Sequence, residues 1–193
     1  MKQHGFLRYT ALAVMACALV LLPSASYGKQ KHPKNDGRGG ASWLVKEVRH
    51  ELVMLPYYGV FDNLEFRIDG NDTVVLSGQV TRPTLKSDAE NVVKKVEGVA
   101  KVVNNIEVLP LSPNDDRIRL DAYRAIFSKP GLDRYSMMAV PPIHIIVKNG
   151  HITLTGLVAR QGDKDLAGIS ANGVSGAFGV TNNLQVEEKG KAS

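Results

Sequence analysis

Apolar residues along this chain switch between two spacings, and they do so twice in the same order. From Trp43 they recur every three or four residues, which predicts an amphipathic helix capped by Ser42 and ended by Pro56. From Leu64 onwards they alternate with polar residues on both sides of a turn, which predicts a β-hairpin. A second helical pattern over Thr84–Glu97 and a last alternating stretch complete the unit.

The same order returns at an offset of 78 residues. Without gaps, Val74–Val108 matches Ile152–Val186 at twelve of thirty-five positions, where unrelated segments of average composition would match at about two. We therefore predict two domains rather than a solenoid array. The order helix, strand, strand, helix, strand predicts an α+β fold in each copy, in which two helices cover one face of a three-stranded mixed sheet.

The two copies are expected to differ in detail. Inward-facing residues across the hairpin turn are six apart in the first copy and five apart in the second, so the first turn should be one residue longer. In the second copy Ser112 and Pro113 open the first helix. Its second helix, near Asp163–Ser175, contains Gly168 and Gly173, which predicts a shorter or looser helix.

The beginning of the chain is typical of a secretory signal. Lys2 and Arg8 precede an apolar run over Ala11–Leu22, and small residues follow Pro23. We assign residues 1–28 to a signal peptide, 29–41 to a disordered basic linker, 42–110 and 111–188 to the two domains, and 189–193 to a disordered tail. An uncleaved anchor helix, or a lipoprotein attached through Cys17, are the alternatives.

Charge and side-chain chemistry exclude several function classes. Six of the 24 basic residues and one of the 19 acidic residues precede residue 41, so the rest is neutral, which argues against nucleic-acid binding. His50, His144 and His151 show no metal-binding spacing, and alternation places His144 on the polar side of its strand. No serine nucleophile with an evident base occurs, so we expect no enzyme, no metal and no cofactor.

Two repeated polar features are interpreted structurally. Gly78 and Gly156 lie inside apolar strands, which indicates a bulge or a close approach of a helix to the sheet. Asn104–Asn105 and Asn182–Asn183 are expected to satisfy backbone groups at a strand irregularity.

These repeated residues resemble those of the BON domain. The likeness is carried in the first copy by the strand containing Gly78, the helix around Ala89, and the stretch Gly98–Val108, and in the second copy by Ile152–Val158 and Gly176–Val186. The whole is similar to dual BON-domain periplasmic proteins of the osmotically induced class. That resemblance implies association with phospholipid or a membrane surface and maintenance of the cell envelope under stress, without catalysis.

A contact surface is expected in the second copy, where the segment Ser128–Pro142 is long and rich in Met and Pro. The expected partner is an anionic phospholipid or membrane surface. The candidate contact residues are Tyr123, Arg124, Phe127, Lys129, Leu132, Arg134, Tyr135, Met137, Met138 and Val140.

Alternatives remain open for this surface. The long segment could instead fold back over the open side of the sheet, because small domains need every apolar contact. The protein could also be an interaction module that binds another envelope protein at an open sheet edge. The first copy is expected to be the better-packed scaffold.

Overall fold

The computed structural model describes residues 41–70 and 72–187, all within one compact unit. The predicted signal, the Cys17 alternative, the tail and the linker lie outside these residues, apart from Ala41 at the linker's end. Ala41 is already helical, so Ser42 lies inside the first helix instead of capping it.

The first half contains two helices and one sheet in the predicted order. Its third strand is interrupted and is described as two short strands. The elements are α1 (Ala41–Val53), β1 (Asn63–Asp69), β2 (Thr73–Val80), α2 (Pro83–Val93), β3 (Lys101–Asn104) and β4 (Glu107–Val108).

The second half repeats this order with one addition, a 3-10 turn over Asp133–Met137 between its first helix and first strand. Ser112 caps the first helix as predicted, its hydroxyl accepting a hydrogen bond from the Asp115 N–H at 3.2 Å. The elements are α3 (Pro113–Phe127), β5 (Ile143–Lys148), β6 (His151–Val158), α4 (Gln161–Asn172), β7 (Gly179–Asn182) and β8 (Gln185–Val186).

Each sheet is mixed, as predicted. β1 runs antiparallel to β2, while β3 and β4 run parallel to β2 on its other side. β5, β6, β7 and β8 repeat this topology. The break between β3 and β4 is stabilised by Asn104, whose side-chain oxygen accepts from the Ile106 N–H at 3.1 Å, and Asn182 does the same for Leu184 at 3.2 Å. The interpretation of the Asn pairs is confirmed.

The hairpin turns differ as the sequence predicts. Asp69 pairs with Thr73 in the first half, whereas Lys148 pairs with His151 in the second, so the first turn is one residue longer. The shorter turn, Asn149–Gly150, has φ values of 52° and 77°, as a tight hairpin requires. Buried Asp115 fixes it, accepting from the Asn149 N–H at 2.9 Å and the Gly150 N–H at 2.8 Å.

Gly78 and Gly156 allow close backbone contact, but the neighbour is the start of the adjacent strand, Asn63 of β1 or Pro142 directly before β5, and not the helix that the sequence had suggested. Their φ values are 109° and 120°. A Cβ would lie 2.1 Å from the Asn63 carbonyl oxygen at Gly78 and 1.9 Å from the Pro142 carbonyl oxygen at Gly156. No L side chain fits either position.

The second helix of the second half was expected to be shorter or looser, and it is not shorter. α4 has 12 residues and α2 has 11. Gly168 serves packing, because a Cβ there would lie 2.6 Å from the side-chain nitrogen of Asn182. That nitrogen donates to the Lys164 carbonyl at 2.8 Å. α2 also ends at Val93, four residues before the predicted end, and turns follow up to Gly98.

Each half has its own core, and the expectation that the first is better packed is wrong. In the first half β1 contributes Leu64, Phe66 and Ile68 only as partly buried residues. In the second half the corresponding Ile143, Ile145 and Val147 are fully buried, and residues of the long segment join them. The second core is therefore the more completely enclosed.

Candidate functional site

Three of the predicted contact residues belong to the core. Leu132 is fully buried, and Phe127 and Tyr135 are nearly so. The long segment folds back, as the alternative interpretation proposed, but Leu132 and Tyr135 join the core that the two helices cover and not the open side of the sheet. These three residues are not available to a partner.

The Tyr135 hydroxyl anchors this segment. It accepts from the Ala159 N–H at 2.9 Å and donates to the Asp163 carboxylate at 2.8 Å. Arg134 also contacts Asp163, at 2.5 Å, and its hydrogen bond to the Tyr135 hydroxyl raises the pKa of the guanidinium. Arg134 is thus committed to a structural ion pair and is a weaker candidate for a headgroup than the sequence suggested.

The remaining predicted residues stay accessible. Met137 and Met138 are 81% and 58% exposed. Arg124 and Lys129 are exposed, although Arg124 lies 3.3 Å from Asp121. Tyr123 is half-buried and contacts the rings of Phe127 and of Phe61 from the first half, and Val140 is half-buried.

The segment between α1 and β1 joins the two halves. The Ile145 N–H of β5 donates to the Val60 carbonyl at 2.7 Å. Tyr58 stacks on His144 with ring centroids 5.6 Å apart, and Nδ1 of His144 lies 3.3 Å from the Gly59 carbonyl oxygen. Alternation places His144 on the polar side of its strand, and the structure shows that a segment of the other half covers that side, so the imidazole is buried.

Burial controls the ionisation of this junction. Desolvation lowers the pKa of His144, although Gly59 and Asp62 act in the opposite direction. Desolvation also raises the pKa of Tyr58 to about 12. The Asp62 carboxylate is buried and accepts from the Thr81 N–H at 2.7 Å, which holds the joining segment against the end of β2. Both rings are therefore neutral near pH 7.

A cleft of about 910 Å³ opens beside this junction. The first half contributes α1 and β1, and the second half contributes the end of the long segment and the outer face of β6. Most of its lining is apolar, and Arg49 and Glu65 carry its charges. Its lining includes Arg49, Leu52, Val53, Leu64, Glu65, Phe66, Met138, Val140, Pro142 and Leu157.

The structure brings Met138 and Val140 of the predicted set into this cleft, together with a wall that sequence reasoning missed. Leu64 and Phe66 follow a core alternation, and nothing local shows that they remain half-buried. The one available signal is the shorter segment before β1 in the first copy, which offers less chain to cover that strand.

Within residues 41–70 and 72–187, no group of three or more His, Cys, Asp or Glu side chains could hold a metal ion. None of the helices described there is long and apolar enough to cross a membrane.

Comparisons with known proteins bear on the family. No curated protein matches the chain. Two solved structures of CdsD, a structural protein of the type III secretion system of Chlamydia trachomatis, are similar at 13% identity. The first is the C-terminal domain of CdsD, and the similarity covers 75% of this chain and 97% of the CdsD chain, with a TM-score of 0.29. The second covers 76% and 94%, with a TM-score of 0.30. Scores this low support no functional inference.

The family model gives a clear assignment. The model of the BON domain matches residues 41–110 and again residues 114–188. BON domains are associated with proteins of the cell envelope and are generally non-catalytic. The two matches cover both repeats and both sheets described above. This chain belongs to the BON domain family, with two BON domains in tandem.

Proposed function

We propose that this protein is a non-enzymatic component of the cell envelope that associates peripherally with a phospholipid surface and supports envelope integrity under stress. In this proposal the predicted signal, residues 1–28, directs export to the periplasm. The observation that carries the proposal is the exposure of Met137 and Met138.

The exposure of this pair contrasts with its surroundings. Leu132 and Tyr135, a few residues earlier, are packed in the core, while both methionines remain on the surface. Met side chains are flexible and apolar, and they adapt to irregular surfaces. Inserting them into a lipid boundary would remove apolar area from water, at roughly 25 cal/mol per Å².

Nearby positive charge supports the same surface. Arg124 and Lys129 are exposed on the helix and segment that lead to the pair. A basic residue close to an anionic bilayer contributes about 1 kcal/mol. Two weak signals, one apolar and one electrostatic, together give stable but reversible association. We therefore propose anionic phospholipid as the preferred surface.

Flotation with vesicles tests the proposal. The chain from residue 29 onwards is mixed with vesicles of zwitterionic lipid alone and with vesicles that also contain an anionic phospholipid. We expect flotation with the anionic vesicles and a decrease as salt is raised, because salt screens exposed charges. A folded protein that floats with neither vesicle contradicts the proposal.

A matched variant isolates the methionine pair. Met137→Ser combined with Met138→Ser should abolish flotation without a change in the circular dichroism spectrum, because both side chains are exposed. Ile169→Ser removes an apolar side chain that is 70% exposed on α4, and it should float like the wild type. Equal loss in both variants would point to general hydrophobicity and against this surface.

A further inference from the structure

β1 lies at the edge of its sheet. Among the described residues it pairs with β2 and with no second strand. In an edge strand, alternate backbone N–H and C=O groups face away from the sheet and can bond a further strand. An extended polypeptide is the ligand whose own backbone matches such a row of donors and acceptors.

The cleft runs along this edge. Its lining includes four consecutive residues of β1, Asn63–Phe66, which span about 13 Å at ~3.3 Å per residue. Leu52 and Val53 of α1 face the same space, and Met138 and Pro142 contribute from the other half. A strand added to β1 would therefore place its side chains in a mostly apolar groove.

The same molecule already uses the corresponding edge in its other half. β5 occupies the position of β1 in the second sheet, and its Ile145 N–H donates to the Val60 carbonyl of the joining segment. An extended piece of chain thus covers part of the second edge from within. At the first edge, the Tyr58 hydroxyl contacts the Leu64 backbone, but among the described residues no strand or backbone hydrogen bond from another segment covers β1 on that side.

We propose that the β1 edge and the adjoining cleft bind an extended polypeptide segment with the pattern apolar, basic, apolar. Directly opposed side chains on neighbouring strands lie on the same face. The two apolar residues would lie opposite Leu64 and Phe66 and enter the groove, and the basic residue would lie opposite the exposed carboxylate of Glu65.

Charge in the groove favours this pattern. Arg49 lies on α1, one helical turn from Leu52 and Val53, and lines the cleft beside them. Its positive charge disfavours basic side chains at the two inward positions, where apolar residues fit. Glu65 attracts a basic side chain at the outward position. This cleft shares Met138 with the proposed membrane surface, whereas Arg124, Lys129 and Met137 do not line it.

Fluorescence polarisation with labelled nine-residue peptides tests the proposal. The probe has Val-Lys-Val at its centre, and the matched peptide has Val-Glu-Val. We expect the full chain to prefer the Lys peptide by about threefold to tenfold, a range typical of one or two cross-strand charge pairs. Hydrogen exchange should show added protection of backbone amides in residues 63–69.

A charge reversal gives the sharpest variant. Glu65→Lys changes an exposed side chain and should reverse the preference towards the Glu peptide. Glu97→Lys reverses an exposed charge outside the cleft and should leave the preference unchanged. Equal affinity for both peptides, or binding without protection of β1, overturns the proposal. Protection of β1 by lipid vesicles but by neither peptide would overturn it in favour of a lipid occupant.

Discussion

The two BON domains share a framework but close their cores differently. In the second, the inserted segment brings Leu132 and Tyr135 over the core, and the inward side chains of β5 are fully buried. In the first, a short segment leaves the inward side chains of β1 half-buried and reaches across to β5 instead. The less complete domain therefore supplies one wall of the cleft.

The inserted segment of the second domain, residues 128–142, is accompanied by a change from an apolar to a polar residue in α4, the helix that it contacts. Leu85, buried in the first domain, corresponds to Asp163 in the second at the 78-residue offset. The Asp163 carboxylate accepts from the Tyr135 hydroxyl and contacts Arg134. An apolar position has thus become the acceptor that holds the inserted segment. The two copies therefore differ by an inserted segment together with one substitution, Asp163 in place of Leu85, in the helix that holds it.

The largest effect should be equal in the two domains. Gly78→Ala and Gly156→Ala place a Cβ against a carbonyl oxygen at a positive φ, and each should cost at least ~3 kcal/mol of unfolding free energy. Urea unfolding measures this. Gly162→Ala, in α4 with open space around it, should be neutral or stabilising by about 0.5–1 kcal/mol. A small loss of unfolding free energy at only one of the two glycines would show that the two domains do not share this backbone constraint.

The next prediction separates the two domains. Ile143 and Leu64 occupy equivalent positions opposite Gly156 and Gly78. Ile143→Ala should cost about 3–4 kcal/mol, because the side chain is fully buried. Leu64→Ala should cost about half as much, because the side chain is half-buried. Equal losses in urea unfolding would show that both cores are closed to the same degree.

A smaller effect tests the anchor of the inserted segment. Tyr135→Phe removes the hydroxyl that bonds Ala159 and Asp163, and it should cost about 1–2 kcal/mol. Tyr57→Phe changes a side chain that is 72% exposed and should have no measurable effect. Thermal unfolding followed by circular dichroism compares the two. A silent Tyr135→Phe variant would mean that the insertion is held by apolar contacts alone.

The smallest effect concerns pH at the junction. The pKa of His144 is lowered by burial in the folded protein, so the unfolded chain takes up the proton first as pH falls. His144 thus contributes stability that is complete above about pH 6.5 and is lost as pH falls towards the lowered pKa. The melting temperature of wild type should decrease between pH 7 and pH 5 more than that of His144→Phe. His50→Phe, at an exposed position, should behave like the wild type; identical profiles for all three would remove His144 as the cause.

Much of the fold could be predicted because its signals are local. The hairpin register, the Ser112 cap and the role of Asn104 and Asn182 each depend on residues close in sequence. The candidate site was harder. Phe127, Leu132 and Tyr135 were candidate contact residues, yet all three are buried. Alternation shows which residues share a face, but not whether a distant segment covers that face.

By itself the sequence determined the repeat, the order of helices and strands, the mixed sheet and the positions where only glycine fits, because periodicity and backbone sterics act within short stretches. The tertiary structure alone decided which side chains of the long segment are buried, that Tyr58 covers His144, and that a cleft opens beside β1. These features depend on contacts between residues far apart in sequence, from Tyr135 and Asp163, 28 residues apart, to Gly59 and His144, 85 residues apart. Such contacts depend on which of the two cores a connecting segment packs against, and the local spacing of apolar residues does not show this.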